Sequence, residues 1–230
     1  IKSNSFSYYP ERSYLLLRKA IAKWHKIDES MILPGNGASE LITWAAKSTS
    51  NMLNILPSPC FSDYKRAIDC WSGKYQEISL PIPWEDRFPA AFPFETSNNA
   101  IWITNPQNPT GQLWKKESLV NLLEKGNLVI CDEAFLPIVP DGESQSLIPL
   151  INNYSNLIII RSLTKLFNIA GLRLGYAISS PERLKVWSQA RDPWSINSLA
   201  ISFGIKVMEE SLIIKRQTTK IQKWVTKEGP

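Results

Sequence analysis

The sequence predicts an α/β domain with a mostly parallel central sheet flanked by helices. Short apolar segments of strand length alternate with amphipathic segments of helix length through most of the 230 residues, which is typical of βαβ units. Polar loops that contain glycine or proline directly follow several of the apolar segments. Parallel sheets bind ligands at the carboxyl ends of their strands, so these loops are the first places to look for a site.

The elements are predicted one by one from apolar spacing. Helical periodicity predicts helices at 13–25, 39–47, 62–71 and 116–124, with two or three more between 181 and 227. Apolar runs predict strands at 31–33, 52–56, 75–78, 100–104, 128–131, 157–160 and 172–178. The segment 81–93 is rich in proline and aromatic residues and is predicted to be a loop. The almost purely helical sequence after Pro181 suggests the start of a second domain.

The composition indicates a globular chain and disfavours several kinds of site. Hydrophobic residues make up 43% of the chain, and no apolar run approaches membrane-spanning length, so no membrane partner is expected. His25 is the only histidine, which leaves little for histidine zinc sites or Ser-His catalysis. We expect no metal, and any acid-base chemistry would use Lys, Asp, Glu, Tyr or a cofactor. Three cysteines without metal-type pairing favour a reducing compartment, and hence the cytoplasm.

The formal charge of +5 comes largely from basic residues near the carboxyl end. They are Lys206, Lys215, Arg216, Lys220, Lys223 and Lys227. Their spacing is more typical of a solvated helix face than of a nucleic-acid patch, so no nucleic-acid partner is expected.

Two charged residues follow predicted strands. Lys165 comes after the strand 157–160, and a lysine held out of water at the mouth of a sheet is a competent amine nucleophile. Asp132 comes after the strand 128–131, where an aspartate suits a protonated ring nitrogen. With Glu133 beside it, Asp132 also suits magnesium, but the sequence has no Walker A loop. Either residue by itself is also compatible with a plain surface or helix-capping role.

Three further segments suggest binding of an anion. Gly35-Asn36-Gly37 precedes a predicted helix whose first amides attract phosphate. The seven residues 105–111 contain two prolines, two asparagines and a glycine, which predicts a rigid loop. Arg173 lies eight residues after Lys165, and its guanidinium suits a bidentate grip on phosphate. A tight turn, an ordinary loop and a surface ion pair are the simpler alternatives.

Taken in order, these segments resemble the class I/II aminotransferases, which are fold type I enzymes dependent on pyridoxal 5'-phosphate (PLP). The motifs are Asn-Pro-Gln-Asn-Pro-Thr-Gly at 105–111, Asp-Glu-Ala-Phe at 132–135, Ser-Leu-Thr-Lys at 162–165 and Gly-Leu-Arg-Leu-Gly-Tyr at 171–176. The resemblance runs from about Tyr8 to Ala200 and implies the PLP-dependent transferase fold. Within the group, the chain resembles the branch of histidinol-phosphate aminotransferase and threonine-phosphate decarboxylase.

The resemblance implies a role for each matching residue. Lys165 would hold PLP as a Schiff base and then shuttle protons, and Asp132 would pair with the pyridine nitrogen so that the ring accepts electrons. The residues implied for binding the rest of the cofactor are Ala38, Ser39, Phe61, Asn108, Ser162 and Arg173. Of these, Phe61 would stack on the ring, Asn108 would contact the ring 3-oxygen, and the others would hold the phosphate.

The resemblance also implies a homodimer with shared active sites, because Tyr9 matches a tyrosine that reaches the phosphate of the neighbouring subunit. Two departures from the family pattern are visible. Phe135 stands where the aminotransferases usually carry a tyrosine, which leaves plain transamination less certain. The small domain that supplies a substrate-binding arginine is expected to be truncated, so that 1–210 form the PLP-binding large domain and 211–230 begin the second domain.

The substrate is predicted to be a small phosphorylated amino acid. Gly35-Asn36-Gly37 and the segment 193–200 favour decarboxylation of L-threonine O-3-phosphate, the reaction that serves cobalamin side-chain synthesis. Aminotransfer of the histidinol-phosphate type is the alternative, and a catalytically inactive PLP-fold binding module is a second alternative.

Overall fold

The computed structural model describes residues 7–81 and 88–228 and contains one seven-stranded sheet. The strands are β1 (Ile32–Asn36), β2 (Leu53–Ser58), β3 (Lys74–Ser79), β4 (Ala100–Thr104), β5 (Leu128–Asp132), β6 (Leu157–Ser162) and β7 (Leu174–Ile178). Their order across the sheet is β1-β7-β6-β5-β4-β2-β3. Neighbouring strands are parallel from β6 through β3, whereas β7 is antiparallel to both β6 and β1. The mostly parallel sheet predicted from the sequence is confirmed.

Seven α-helices surround this sheet in the described part of the chain. They are α1 (Leu15–His25), α2 (Gly37–Ser48), α3 (Asp63–Asp69), α4 (Lys116–Glu124), α5 (Pro181–Ala190), α6 (Ser198–Glu209) and α7 (Ser211–Glu228). Three helices therefore follow Pro181, within the predicted two or three.

Alternate residues of the central strands build two separate cores, one on each face of the sheet. Ile101, Val129 and Ile159 pack in one core together with residues of α1, α4 and α6. Trp102 and Ile130 point to the other core, which includes residues of α2, α3 and α5. This division follows from the two-residue period of a strand, and burial on both faces explains why these strands are continuously apolar.

The predicted boundaries differ from the observed ones by a few residues, with identifiable causes. Helix α1 was predicted to begin at Ser13, but it begins at Leu15 because Tyr14 has a left-handed backbone with φ of 51°. Strand β7 begins at Leu174 because Arg173 is also left-handed, with φ of 55°. In the predicted loop 81–93, Ala90 forms an isolated bridge with Trp114, and residues 82–87 lie outside the described part.

Helix α7 contacts α6 and the short 3-10 helix Leu136–Ile138. The basic residues Lys215, Arg216, Lys220 and Lys223 are exposed on it, as the solvated-face interpretation predicts. No helix in the described ranges has the length and apolar character needed to cross a membrane. The division into a large domain at 1–210 and a second domain from 211 stays a prediction.

Candidate active site

A cavity of about 130 Å³ lies at the carboxyl edge of the parallel strands. Its lining residues are Ala38, Ser39, Ile42, Phe61, Thr104, Asn108, Asp132, Ala134, Phe135, Ser162, Thr164, Lys165 and Arg173. Eight of the nine residues singled out from the sequence therefore meet in one place, although they are spread over 136 positions of the chain, from 38 to 173. Their roles toward a cofactor stay predictions.

Strand register explains why three of these side chains are neighbours. Thr104, Asp132 and Ser162 are the last residues of β4, β5 and β6, which are adjacent and parallel. Thr104 pairs directly with Asp132 in the ladder, and the Asn105 amide donates to the Asp132 carbonyl oxygen at 2.9 Å. The sheet therefore fixes these backbones before any ligand binds.

Asp132 is the buried acid of the cavity, with 5% of its surface exposed. The Ala134 amide donates to its Oδ1 at 2.9 Å, and the Tyr64 hydroxyl donates to its Oδ2 at 2.9 Å. Burial raises the pKa of Asp132 to about 6, although these hydrogen bonds and the nearby Lys165 act in the lowering direction. A cationic partner, such as a protonated ring nitrogen, would stabilise the charged form of this buried carboxylate.

A glycine cradle forms the anion-binding end of the cavity. Gly37, the first residue of α2, has φ of +77°, and a Cβ on it would lie 2.7 Å from Nη2 of Arg173. A Cβ on Gly175 would lie 2.9 Å from the Ala38 amide nitrogen. Only glycine allows this close approach of β7, Arg173 and the start of α2. This packing places the Arg173 guanidinium beside the first turn of α2, and both a guanidinium and the start of a helix suit a phosphate.

The loop 105–111 is held by its own side chains, which fixes the position of Asn108. The Asn105 side chain accepts a hydrogen bond from the Trp114 amide at 2.9 Å and donates to the Trp114 carbonyl at 3.2 Å. The Gln107 side chain donates to the Pro59 carbonyl at 2.6 Å, which ties the loop to the segment that precedes Phe61. Side-chain hydrogen bonds therefore tie down the loop that was predicted to be rigid.

Lys165 lies on the turn after β6, with its Nζ 5.4 Å from the centroid of the Phe135 ring. The expectation that it is held out of water is wrong for this structure, because Lys165 is exposed. The cavity opens to solvent on the side of this turn, whereas its floor at Asp132 is buried. The amine is therefore reachable by a ligand that enters from outside.

Tyr9 is the one predicted site residue that does not line the cavity. It is 78% exposed, and its ring centroid lies 4.5 Å from that of Trp194. Within one chain, Tyr9 therefore packs on Trp194, outside the cavity that contains Lys165 and Asp132. Its predicted contact with a neighbouring subunit stays a prediction.

Among the site residues that were not identified from the sequence, Thr104 and Tyr64 contact each other next to Asp132. Thr104 lines the cavity, and Tyr64 lies behind it with its hydroxyl 2.8 Å from Thr104 Oγ1. The spacing of Tyr64 three residues after Phe61, at the start of a predicted helix, was the available signal. Thr104 is the last residue of β4, and the two strands next to β4 also end in polar residues. This pattern indicates a site only when the order of the strands is known.

A second polar network lies next to the cavity, on the opposite face of the sheet. The Arg161 guanidinium, 2% exposed, pairs with Glu133 at 2.6 Å and with Glu143 at 2.7 Å. Ser146 donates to Glu133 at 2.9 Å. On the same side, the His25 Nε2 atom lies 2.8 Å from the Tyr176 hydroxyl. Burial, together with the charge of Arg161, lowers the pKa of His25 to about 3.

Known proteins share this fold and its sequence pattern. One relative is a protein of Caldanaerobacter subterraneus subsp. tengcongensis that is provisionally named threonine-phosphate decarboxylase. It is 34% identical over 212 residues, which are 89% of this chain and 57% of that protein. Histidinol-phosphate aminotransferase of Pyrococcus furiosus is 30% identical over 223 residues, or 97% of this chain and 65% of that protein. This chain therefore spans less than two thirds of either relative.

A solved structure gives the same fold. Histidinol-phosphate aminotransferase of Sinorhizobium meliloti, in complex with pyridoxal-5'-phosphate, superposes with a TM-score of 0.82 at 18% identity, over 99% of this chain and 63% of that one. The sequence matches the family of aminotransferases class I and II over residues 1–227. The amine, the buried acid and the glycine cradle all fit the cofactor of that family. The chain belongs to the aminotransferase class I and II family, with the PLP fold type I and PLP as its cofactor.

Proposed function

We propose that the full-length protein is a PLP-dependent enzyme whose cofactor is held by Lys165, Asp132 and the glycine cradle. The observation that supports this most directly is that an amine, a buried carboxylate and the start of a helix line the same cavity. No one of these features is specific, but a phosphorylated pyridine aldehyde needs all three at once.

Each residue has a separable task in this proposal. Lys165 would hold the cofactor through its amine and would move a proton at the substrate α-carbon. Asp132 keeps the ring nitrogen protonated, and Asn108 contacts the ring 3-oxygen. The phosphate is held by the amides of Ala38 and Ser39 together with Ser162 and Arg173, while Phe61 covers one ring face. When bound, PLP withdraws electrons from the substrate α-carbon, which weakens the bonds at that atom.

Reduction of the loaded protein tests the cofactor site. Full-length protein incubated with PLP is treated with borohydride and digested, and the modified peptide is identified by mass spectrometry. We expect the pyridoxyl group on Lys165, and no modification in Lys165→Ala. Lys185→Ala, which removes an exposed amine on α5, is the matched control and should be labelled like the wild type. Label on another lysine would overturn the assignment.

The proposed reaction is decarboxylation of L-threonine O-3-phosphate, as in the synthesis of the cobalamin side chain. The relative with the provisional decarboxylase name supports it at 34% identity. Phe135 supports it as well, because this cavity residue has no hydroxyl to offer the ring 3-oxygen.

Aminotransfer of the histidinol-phosphate type is the second candidate, supported by the Pyrococcus furiosus relative at 30% identity. The two reactions differ in which bond at the α-carbon is placed perpendicular to the ring, so substrate placement decides between them. Release of CO2 from threonine phosphate by the full-length protein is the expected result. Amino transfer to 2-oxoglutarate without CO2 would exclude the first reaction. Bound PLP with neither reaction would identify a catalytically inactive module.

We also propose a homodimer in the cytoplasm. The exposed Tyr9 ring, which lies outside its own cavity, supports the dimer because it is free to reach a second copy. The three free cysteines support a reducing compartment.

A further inference from the structure

Tyr64 places a phenol hydroxyl directly behind the acid of the cavity. The residue is 1% exposed and belongs to α3. Its ring centroid lies 5.6 Å from that of Phe61 and 5.1 Å from that of Trp102. A ring held between two others at these distances has little freedom to turn, so its hydroxyl keeps one position.

Proton counting gives the hydrogen bonds of this hydroxyl a direction. The Tyr64 oxygen lies 2.9 Å from Asp132 Oδ2 and 2.8 Å from Thr104 Oγ1. The phenol has one proton, and an ionised carboxylate has none to give. Tyr64 therefore donates to Asp132, and Thr104 donates to Tyr64. The two hydroxyl groups thus form a chain of hydrogen bonds that ends at the carboxylate. In such a chain each hydrogen bond strengthens the next one.

Asp132 depends on this chain because its other partners are few. In the described ranges, its carboxylate accepts from one side chain, Tyr64, and from one backbone amide, that of Ala134. Its neighbour Glu133 is instead paired with the Arg161 guanidinium. A neutral donor steadies the Asp132 charge without neutralising it, so the charge stays available to a ligand.

We infer that Tyr64, supported by Thr104, is a positioning residue that holds the Asp132 carboxylate ionised and aimed at the cofactor's ring nitrogen. This inference rests on the proposed function, since it assigns Asp132 to that nitrogen. Tyr64 acts through Asp132 and does not line the cavity itself. Its effect should therefore depend on whether the bound ring contains a basic nitrogen.

Two cofactors test this dependence in the full-length protein. The dissociation constants of PLP and of its 1-deaza analogue, which has carbon in place of the ring nitrogen, are measured by absorbance titration. In Tyr64→Phe we expect PLP to bind roughly tenfold more weakly, and the deaza analogue to bind within about twofold of the wild type. Thr104→Val should shift PLP in the same direction by about threefold, because the carboxylate loses only the second hydroxyl of the chain.

Tyr176→Phe is the matched control. It also removes a buried hydroxyl, the one bonded to His25, but that hydroxyl does not contact Asp132. Both cofactors should bind it as they bind the wild type. Unchanged PLP binding in Tyr64→Phe and Thr104→Val would overturn the inference, as would an equal loss for both cofactors, which indicates a merely structural role. A wild type that binds no PLP would instead refute the proposed function.

Discussion

Asp132 and Glu133 are adjacent buried carboxylates with opposite surroundings. Asp132 points to the face of the sheet that carries α3, where only neutral donors reach it in the described ranges. Glu133 points to the other face, where it is fully buried and paired with Arg161 at 2.6 Å. The alternation of a strand directs the two side chains apart, although one peptide bond joins them.

The difference separates a carboxylate that serves a ligand from one that serves the fold. Glu133 has a permanent cation, so its charge is compensated whenever the chain is folded. Burial raises the pKa of both carboxylates, but Glu133 has an ion pair with Arg161, whereas the Lys165 charge lowers the pKa of Asp132 without forming an ion pair in the described ranges. The pKa of Asp132 stays at about 6, and a cationic ligand would stabilise its charged form. Burial of an acid is therefore a weak indicator of function, whereas burial beside a cavity without an ion-pair partner is a stronger one.

The largest expected effect on stability comes from removing the Arg161 cation that pairs with Glu133. Arg161→Met leaves Glu133 buried and unpaired, so the free energy of unfolding should fall by about 3–5 kcal/mol. Urea denaturation of the cofactor-free full-length protein measures the change. The double variant Arg161→Met, Glu133→Gln should recover part of the loss, because it removes the stranded charge. A loss below about 1 kcal/mol in the single variant would show that Glu133 does not need this cation.

An intermediate effect is expected from His25, which lies on the Arg161 side of the sheet. Its pKa is lowered to about 3 in the folded protein, against 6.5 for the ordinary group. The unfolded chain therefore binds a proton first, and folded stability falls as the pH drops below 6.5. Between pH 7 and pH 5 this costs about 2 kcal/mol.

His25→Gln tests this sign because glutamine keeps a partner for the Tyr176 hydroxyl but does not titrate. Its stability relative to the wild type, measured by urea denaturation, should rise by about 2 kcal/mol from pH 7 to pH 5. A difference that does not change with pH would contradict the burial of a neutral His25.

The smallest effect is expected at Asp132, and it has the opposite sign. Its pKa is raised from 3.8 to about 6, so the folded protein binds the proton first. Asp132 therefore stabilises the cofactor-free protein as the pH falls from 7 to 5, by about 1 kcal/mol. Asp132→Asn should be the more stable protein at pH 7, and this advantage should shrink toward pH 5 in the same denaturation assay. A growing advantage would refute the raised pKa.

The sheet and most site residues were predictable because their signals are local. Strand β4 and helix α4 were predicted at their observed bounds, since apolar runs and helical spacing are readable within a few residues. Asn108, Asp132 and Lys165 stand in motifs at the ends of parallel strands, Arg173 stands in the motif that leads into β7, and the sheet brings these segments together. Tyr64 was missed because it stands in the first turn of an amphipathic helix, where a tyrosine is ordinarily a core residue.

By itself, the sequence determined the α/β class and the order of its elements, because periodicity lies within short stretches of chain. Its motifs indicated the cofactor through their resemblance to the class I/II aminotransferases. Only the tertiary structure decided that β7 runs antiparallel, that Lys165 is exposed and that Tyr64 donates to Asp132. Such facts depend on which distant segments meet. Strand order, and with it which of the two neighbouring carboxylates faces the cavity, is set by packing of the whole sheet and is not visible in any local pattern.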